Sequence, residues 1–205
     1  MKTNTELVVI IMPIPYIAIL IISLFLQSPA FAADENKAFA IKGAGITDCK
    51  RFVESASKRD NLYFMYGSWL EGYMTASNLH LKQTFDIAPW QSTQLLLKVI
   101  ESICKKNPTS KFHQVANSMI SELSKQRLDV GRKYIDVNGD RKYVYQEEVI
   151  RRIKLALKKK DLFTGEINSN FDDELVKSIK EFQKSLKHQQ TGLPDQGTLY
   201  ELFRK

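Results

Sequence analysis

The chain is poor in the residues that carry most protein chemistry. Its 205 residues include two cysteines and three histidines, and His80, His113 and His188 are scattered, with no H-x-x-x-H or Cys-x-x-Cys spacing to hold a metal. A nucleophile elbow is lacking too: Gly67-Ser68-Trp69 has no second glycine and lies inside a helical pattern rather than after a strand. Glu71 and Asp86 make a carboxylate pair of the sort any chain this size offers, and a solvated face accounts for them better than acid–base work. A basic arm is also missing. Residues 34–132 carry 14 basic and 10 acidic side chains and residues 133–205 carry 15 and 12, so the net charge of +7 is spread over both halves. Nucleic-acid binders gather Lys and Arg on one face with aromatics between them; a diffuse excess fits mild attraction to an anionic wall or membrane surface. These absences lead us to expect no enzymatic activity, no cofactor, no metal and no nucleic-acid partner.

What the sequence does have begins at its N-terminus. Lys2 precedes a run from Leu7 to Leu26 almost free of polar residues, and Ala30-Phe31-Ala32 fits an A-x-A cleavage site. We expect a secretory signal peptide at residues 1–32, and hence a periplasmic or otherwise exported protein. The run is long enough to span a bilayer, so membrane association follows only if it is not cut; Pro13 and Pro15 interrupt it early. In an oxidising compartment the two cysteines, Cys49 and Cys104, read as a disulfide. Closing a loop of about 55 residues contributes roughly 4 kcal/mol in the chain-entropy account.

Helical patterns fill residues 34–130. Thr47 to Ser57 places Cys49, Phe52, Val53 and Ala56 on one side; Leu62 to Asn78 places Leu62, Met65, Trp69, Tyr73 and Ala76. A third pattern runs from about Trp90 to Lys105 with Pro89 in its first turn, and a fourth opens with Asn107 as cap and Pro108 as first residue, burying Phe112, Val115, Ala116, Met119, Ile120 and Leu123. The expected unit is a four-helix bundle stapled by its disulfide. Trp69, Tyr73 and Trp90 could stack on sugars, although a core or rim role suits them better. Cys49, the run Tyr66-Gly67-Ser68-Trp69-Leu70-Glu71-Gly72-Tyr73 with Asn78, and Cys104 followed by Asn107-Pro108 loosely resemble two groups of small exported helical domains. These are acid-stress periplasmic chaperones of the HdeA/HdeB type and Tai-type immunity proteins that block wall-cutting amidases. The resemblance implies the fold only.

Residues 131–146 form a hairpin or linker, for which two readings stand. Asn138-Gly139 suits a type I′ turn, which sets Asp136 opposite Arg141 and Tyr134 opposite Tyr143. Alternatively Asp136, Asn138, Asp140 and Glu147 occupy positions 1, 3, 5 and 12 of a calcium loop. Position 6 is then Arg141 where the turn demands glycine, which favours the hairpin.

Residues 147–205 show three apolar stripes: Val149, Ile153, Ala156 and Leu157; Leu175, Ile179, Phe182 and Leu186; Leu199, Leu202 and Phe203. Asp172, Asp173 and Glu174 open the second segment and Asp195 the third, as N-terminal capping requires. Leu162-Phe163-Thr164-Gly165, Ile167, Phe171, Ile179, Phe182-Gln183, Thr191-Gly192-Leu193-Pro194-Asp195 and Thr198-Leu199 resemble the peptidoglycan-binding-like domain of many cell-wall hydrolases and envelope proteins. Lys154 replaces the usual Gln of that pattern, Asp161 a Gly, Asn168-Ser169 an Asp-Gly pair, Asp172 a Gly and Leu175 a Thr. The resemblance implies a three-helix fold and peptidoglycan as partner. Its loops supply the candidate contacts Phe163, Thr164, Gly165, Asn168, Asn170, Gln183, Thr191 and Gly192, where free N–H groups at helix N-termini would meet wall carboxylates.

The sequence thus leads to an all-α protein: a disulfide-stapled helical bundle followed by a small three-helix peptidoglycan-binding-like domain, with a β-hairpin between them. Its expected role is non-enzymatic, with the C-terminal domain on peptidoglycan and the bundle offered to a protein partner. The alternative is a stress chaperone, or an inhibitor of a wall-cutting enzyme, with a degenerate C-terminal module.

Overall fold

Most helix starts among the described residues are set by short acidic or hydroxyl side chains. In the computed structural model, which describes Asp34 and residues 38–204, Asp48 accepts from Arg51 N at 2.9 Å and opens α1 (Cys49–Lys58). Arg59 ends that helix in the left-handed region at φ 50°, and Asp60 at once caps α2 (Asn61–His80) through Tyr63 N. Ser92 caps α3 (Thr93–Lys106) through Leu95 N. The last helix of the bundle is α4 (Phe112–Ser124). The signal-peptide expectation falls on residues outside the described ones. Among the described residues no helix is long and apolar enough to cross a membrane.

The bundle closes around a cluster of rings. Phe52 of α1, Tyr66 of α2 and Phe112 of α4 are fully buried, with ring centroids 4.6–4.9 Å apart. The disulfide joins Cys49, the first residue of α1, to Cys104 near the end of α3, beside those rings and away from solvent. The inward face of α2 is the expected one only in part: Leu62, Trp69 and Tyr73 pack on the core, but the deepest residues are others. Tyr63, Tyr66 and Leu70 are buried while Met65 is 56% exposed, because α2 carries apolar side chains almost all round and periodicity alone does not mark one face.

Two helix starts also differ. Residues 87–92 are irregular, so α3 begins at Thr93 rather than at Trp90. Asn107 ends α3 instead of opening α4: its N–H donates to Cys104 O and its side-chain amide to Ile103 O. Pro108 and Ser110 lie in the following turn, where their carbonyls accept from Lys50 N and Cys49 N, and so complete the start of α1.

The hairpin is present, with a register three residues wider than expected. Strand β1 (Tyr134–Asp136) pairs antiparallel with β2 (Val144–Gln146), setting Tyr134 opposite Gln146 and Asp136 opposite Val144. The tight turn is lost because the Asp136 carboxylate accepts from Gly139 N and Arg141 N at 3.0 Å each, wrapping the loop round itself. Arg141 takes the left-handed conformation there, φ 59°.

Helices α5 (Glu147–Lys158), α6 (Asp173–Ser185) and α7 (Gln196–Phe203) follow. Val149, Ile150, Ile153, Leu157, Leu175, Ile179, Phe182, Leu199 and Leu202 are buried together, a second core distinct from the ring cluster of the bundle. Tyr145 joins it from β2, donating to Pro194 O at 2.8 Å.

Candidate functional site

Two buried polar side chains shape the loops of the C-terminal module. Gln183 on α6 is fully buried, and its carbonyl oxygen accepts from Gly192 N at 2.9 Å. Its amide nitrogen stands 3.0 Å from each of Thr191 Oγ1, Leu193 O and Thr198 Oγ1. One side chain thereby satisfies the loop 186–195 from within. Gly192 sits at φ 73°, where an added Cβ would meet Val176 Cγ1 at 2.7 Å, so glycine is required there by both conformation and space.

Lys154 on α5 is the second. It is fully buried, and its ammonium donates to Asp172 Oδ2 at 2.7 Å and Asn168 Oδ1 at 2.9 Å while lying 5.2 Å from the centroid of the Phe163 ring. Asn168 Oδ1 also accepts from Asn170 N, and its amide donates to Glu166. The loop 161–172 is thus wound around one buried cation. Burial opposes ionisation of Asp172, but the bonds from Lys154 and from Leu175 N outweigh it and hold that carboxyl below its ordinary range.

Set against the expected contacts, the structure divides them. Phe163, Gln183 and Gly192 are buried and support the loops from inside. Thr164, Asn170 and Thr191 are exposed, and Asn168 is half-exposed. Gly165 lies against the Glu174 carboxylate, to which Thr164 also donates. Phe171 packs on the core.

Each helix N-terminus beside these loops is capped by an aspartate. Asp172 accepts from Leu175 N, Asp173 and Glu174 fill the first turn of α6, and Asp195 accepts from Thr198 N. With Glu166 close by, this face carries several carboxylates of its own. Hydroxyls and amides on Thr164, Asn168, Asn170 and Thr191 suit uncharged polar groups such as sugar hydroxyls and acetamides. Residues 146–202 match the family model described as "Putative peptidoglycan binding domain".

This segment matches the peptidoglycan-binding type of domain. No curated protein and no solved structure matches the chain. Two departures from the family pattern explain each other in the peptidoglycan-binding-type domain: Lys154, in place of Gln, is paired with Asp172, in place of Gly. Asp161, also in place of Gly, keeps a left-handed turn at φ 59°. In sequence these positions stand apart and their pairing is not apparent. Opposite charges 18 residues apart, flanking a loop, were its only signal.

Elsewhere, Trp69 donates from its ring N–H to Lys42 O and packs over Gly45, Tyr73 and Phe112. Its ring is therefore part of the bundle's packing. No group of three or more His, Cys, Asp or Glu able to hold a metal occurs among the described residues, and the Asp136 carboxylate is bonded within its own loop.

Proposed function

We propose that the chain is an exported, non-enzymatic cell-envelope protein that attaches to peptidoglycan through residues 146–202 and offers its disulfide-stapled bundle to a protein partner. The family match on an intact second core carries the first half. Thr164, Asn168, Asn170 and Thr191 form the contact face for glycan hydroxyls and acetamides, held in place by Lys154 and Gln183 from beneath. The second half rests on α2, where Phe64 and Met65 are 61% and 56% exposed and Leu79 is 77% exposed. Phe64 and Met65, consecutive on α2, would offer such a partner apolar surface.

The test is co-sedimentation of the full chain with purified sacculi at low salt. Saturable pelleting is expected, with no soluble wall fragments released on long incubation. A chain that stays in the supernatant removes the attachment; released fragments remove the non-enzymatic role.

A further inference from the structure

Two adjoining grooves lie where the bundle meets the C-terminal module, and they share Trp90, Gln126 and Phe203. One, of about 310 Å³, is walled by Leu95, Val99, Met119 and Leu123. The other, of about 600 Å³, runs past Leu155 between Arg152, Lys159, Lys160 and Lys125, with no acidic residue in its lining. Trp90 and Phe203, ring centroids 5.2 Å apart, form the ridge between them. We propose that this double groove is a docking site for an acidic protein segment carrying a bulky apolar anchor side chain.

Charge and shape select that occupant. Lys159 and Lys160 take part in none of the ion pairs among the described residues, and Leu155 beside them is 44% exposed. Lys125 and Arg152 are paired with Glu122 and Glu148, and Glu122 lines the smaller groove, so the excess positive charge of the rim is that of Lys159 and Lys160; beside an apolar floor it favours a partner that is anionic and apolar at once. The smaller groove has room for a Leu- or Phe-sized side chain, which wall peptides built on small residues and carboxylates would leave unfilled. Side-chain amides of Gln91 and Gln126 at the lining can pair with a peptide backbone. The site exists only where both halves are joined, so the partner reads the assembled chain. This inference rests on the proposed protein-partner role, not on wall attachment.

The probe is a fluorescein-labelled synthetic peptide of Glu and Asp residues around a Leu-Phe pair, titrated into the full chain and followed by anisotropy. Saturable binding is expected, weakened at least tenfold by Lys159→Glu or by Leu155→Ser, both surface changes, and by replacing the peptide's Leu-Phe with Ser-Ser. Circular dichroism checks that each variant is folded, and unchanged sacculus pelleting of Lys159→Glu separates this site from the wall-binding face. Equal affinity for the variants, or for the Ser-Ser peptide, overturns the proposal. So does tighter competition by dodecanoate, which would assign the groove to a lipid, or a sedimentation dimer that Lys159→Glu dissolves, which would assign it to a second copy.

Discussion

A buried lysine is costly unless its charge is matched, and Lys154 is matched unevenly: it is fully buried while the Asp172 side chain is 41% exposed. The two halves of the pair therefore respond differently to mutation. Lys154→Gln leaves a carboxylate that can turn to water, and a loss of about 1–2 kcal/mol is expected. Asp172→Asn leaves a cation inside, and about 2–4 kcal/mol is expected, both read from urea midpoints. The pH dependence has a definite sign. Because the folded pKa of Asp172 lies below the ordinary 3.8, the unfolded chain binds more protons as pH falls through that value, and stability drops there. The contribution is fully present at pH 5 and above, so wild type and Asp172→Asn converge in stability only below about pH 4. Gln183→Leu strands Gly192 N–H and should cost about 2–4 kcal/mol in the same assay. Both residues were visible in sequence, Gln183 as a contact and Lys154 as a departure. Their inward orientation was not, since polar side chains carry no periodic mark of burial.

At the scale of elements, the apolar stripes of α5, α6 and α7 were legible because their apolar residues recur at helical spacing, and α6 and α7 open with an acidic cap. Asn107-Pro108 was misread as a start because an Asn before a proline serves a helix end equally well, and only its bonds to Ile103 O and Cys104 O decide. The hairpin register failed for a similar reason: Asp136 competes with the strand ladder by bonding its own loop. Since Asp136 is engaged there and no third carboxylate joins Asp140, calorimetric titration of the chain with calcium should give no saturable heat. A site lost in Asp136→Ala would contradict this. Reducing the disulfide removes a constraint on a 55-residue span, and the bundle should lose roughly 4 kcal/mol in urea unfolding under reductant.

On the scale of the whole molecule, two cores are clasped together by a few polar contacts. Gln196 accepts from Ser92 N at 2.7 Å and donates to Trp90 O, and Arg152 donates to the carbonyls of Gln126 and Arg127. Nothing in the composition foretold this clasp, whose Gln196 bonds join residues more than 100 positions apart. Gln196→Ala should separate the unfolding transitions seen by tryptophan fluorescence and by circular dichroism, which are expected to coincide in the wild type. Wall attachment is the central claim, and it sits on the exposed loop residues rather than on the buried ones. It is tested most directly by sacculus co-sedimentation of the wild type beside Thr164→Glu/Asn170→Glu, two exposed changes that add charge to the contact face. The account predicts saturable pelleting of the wild type and at least a tenfold weaker association of the folded variant; equal pelleting of the two, or none by the wild type, would contradict it.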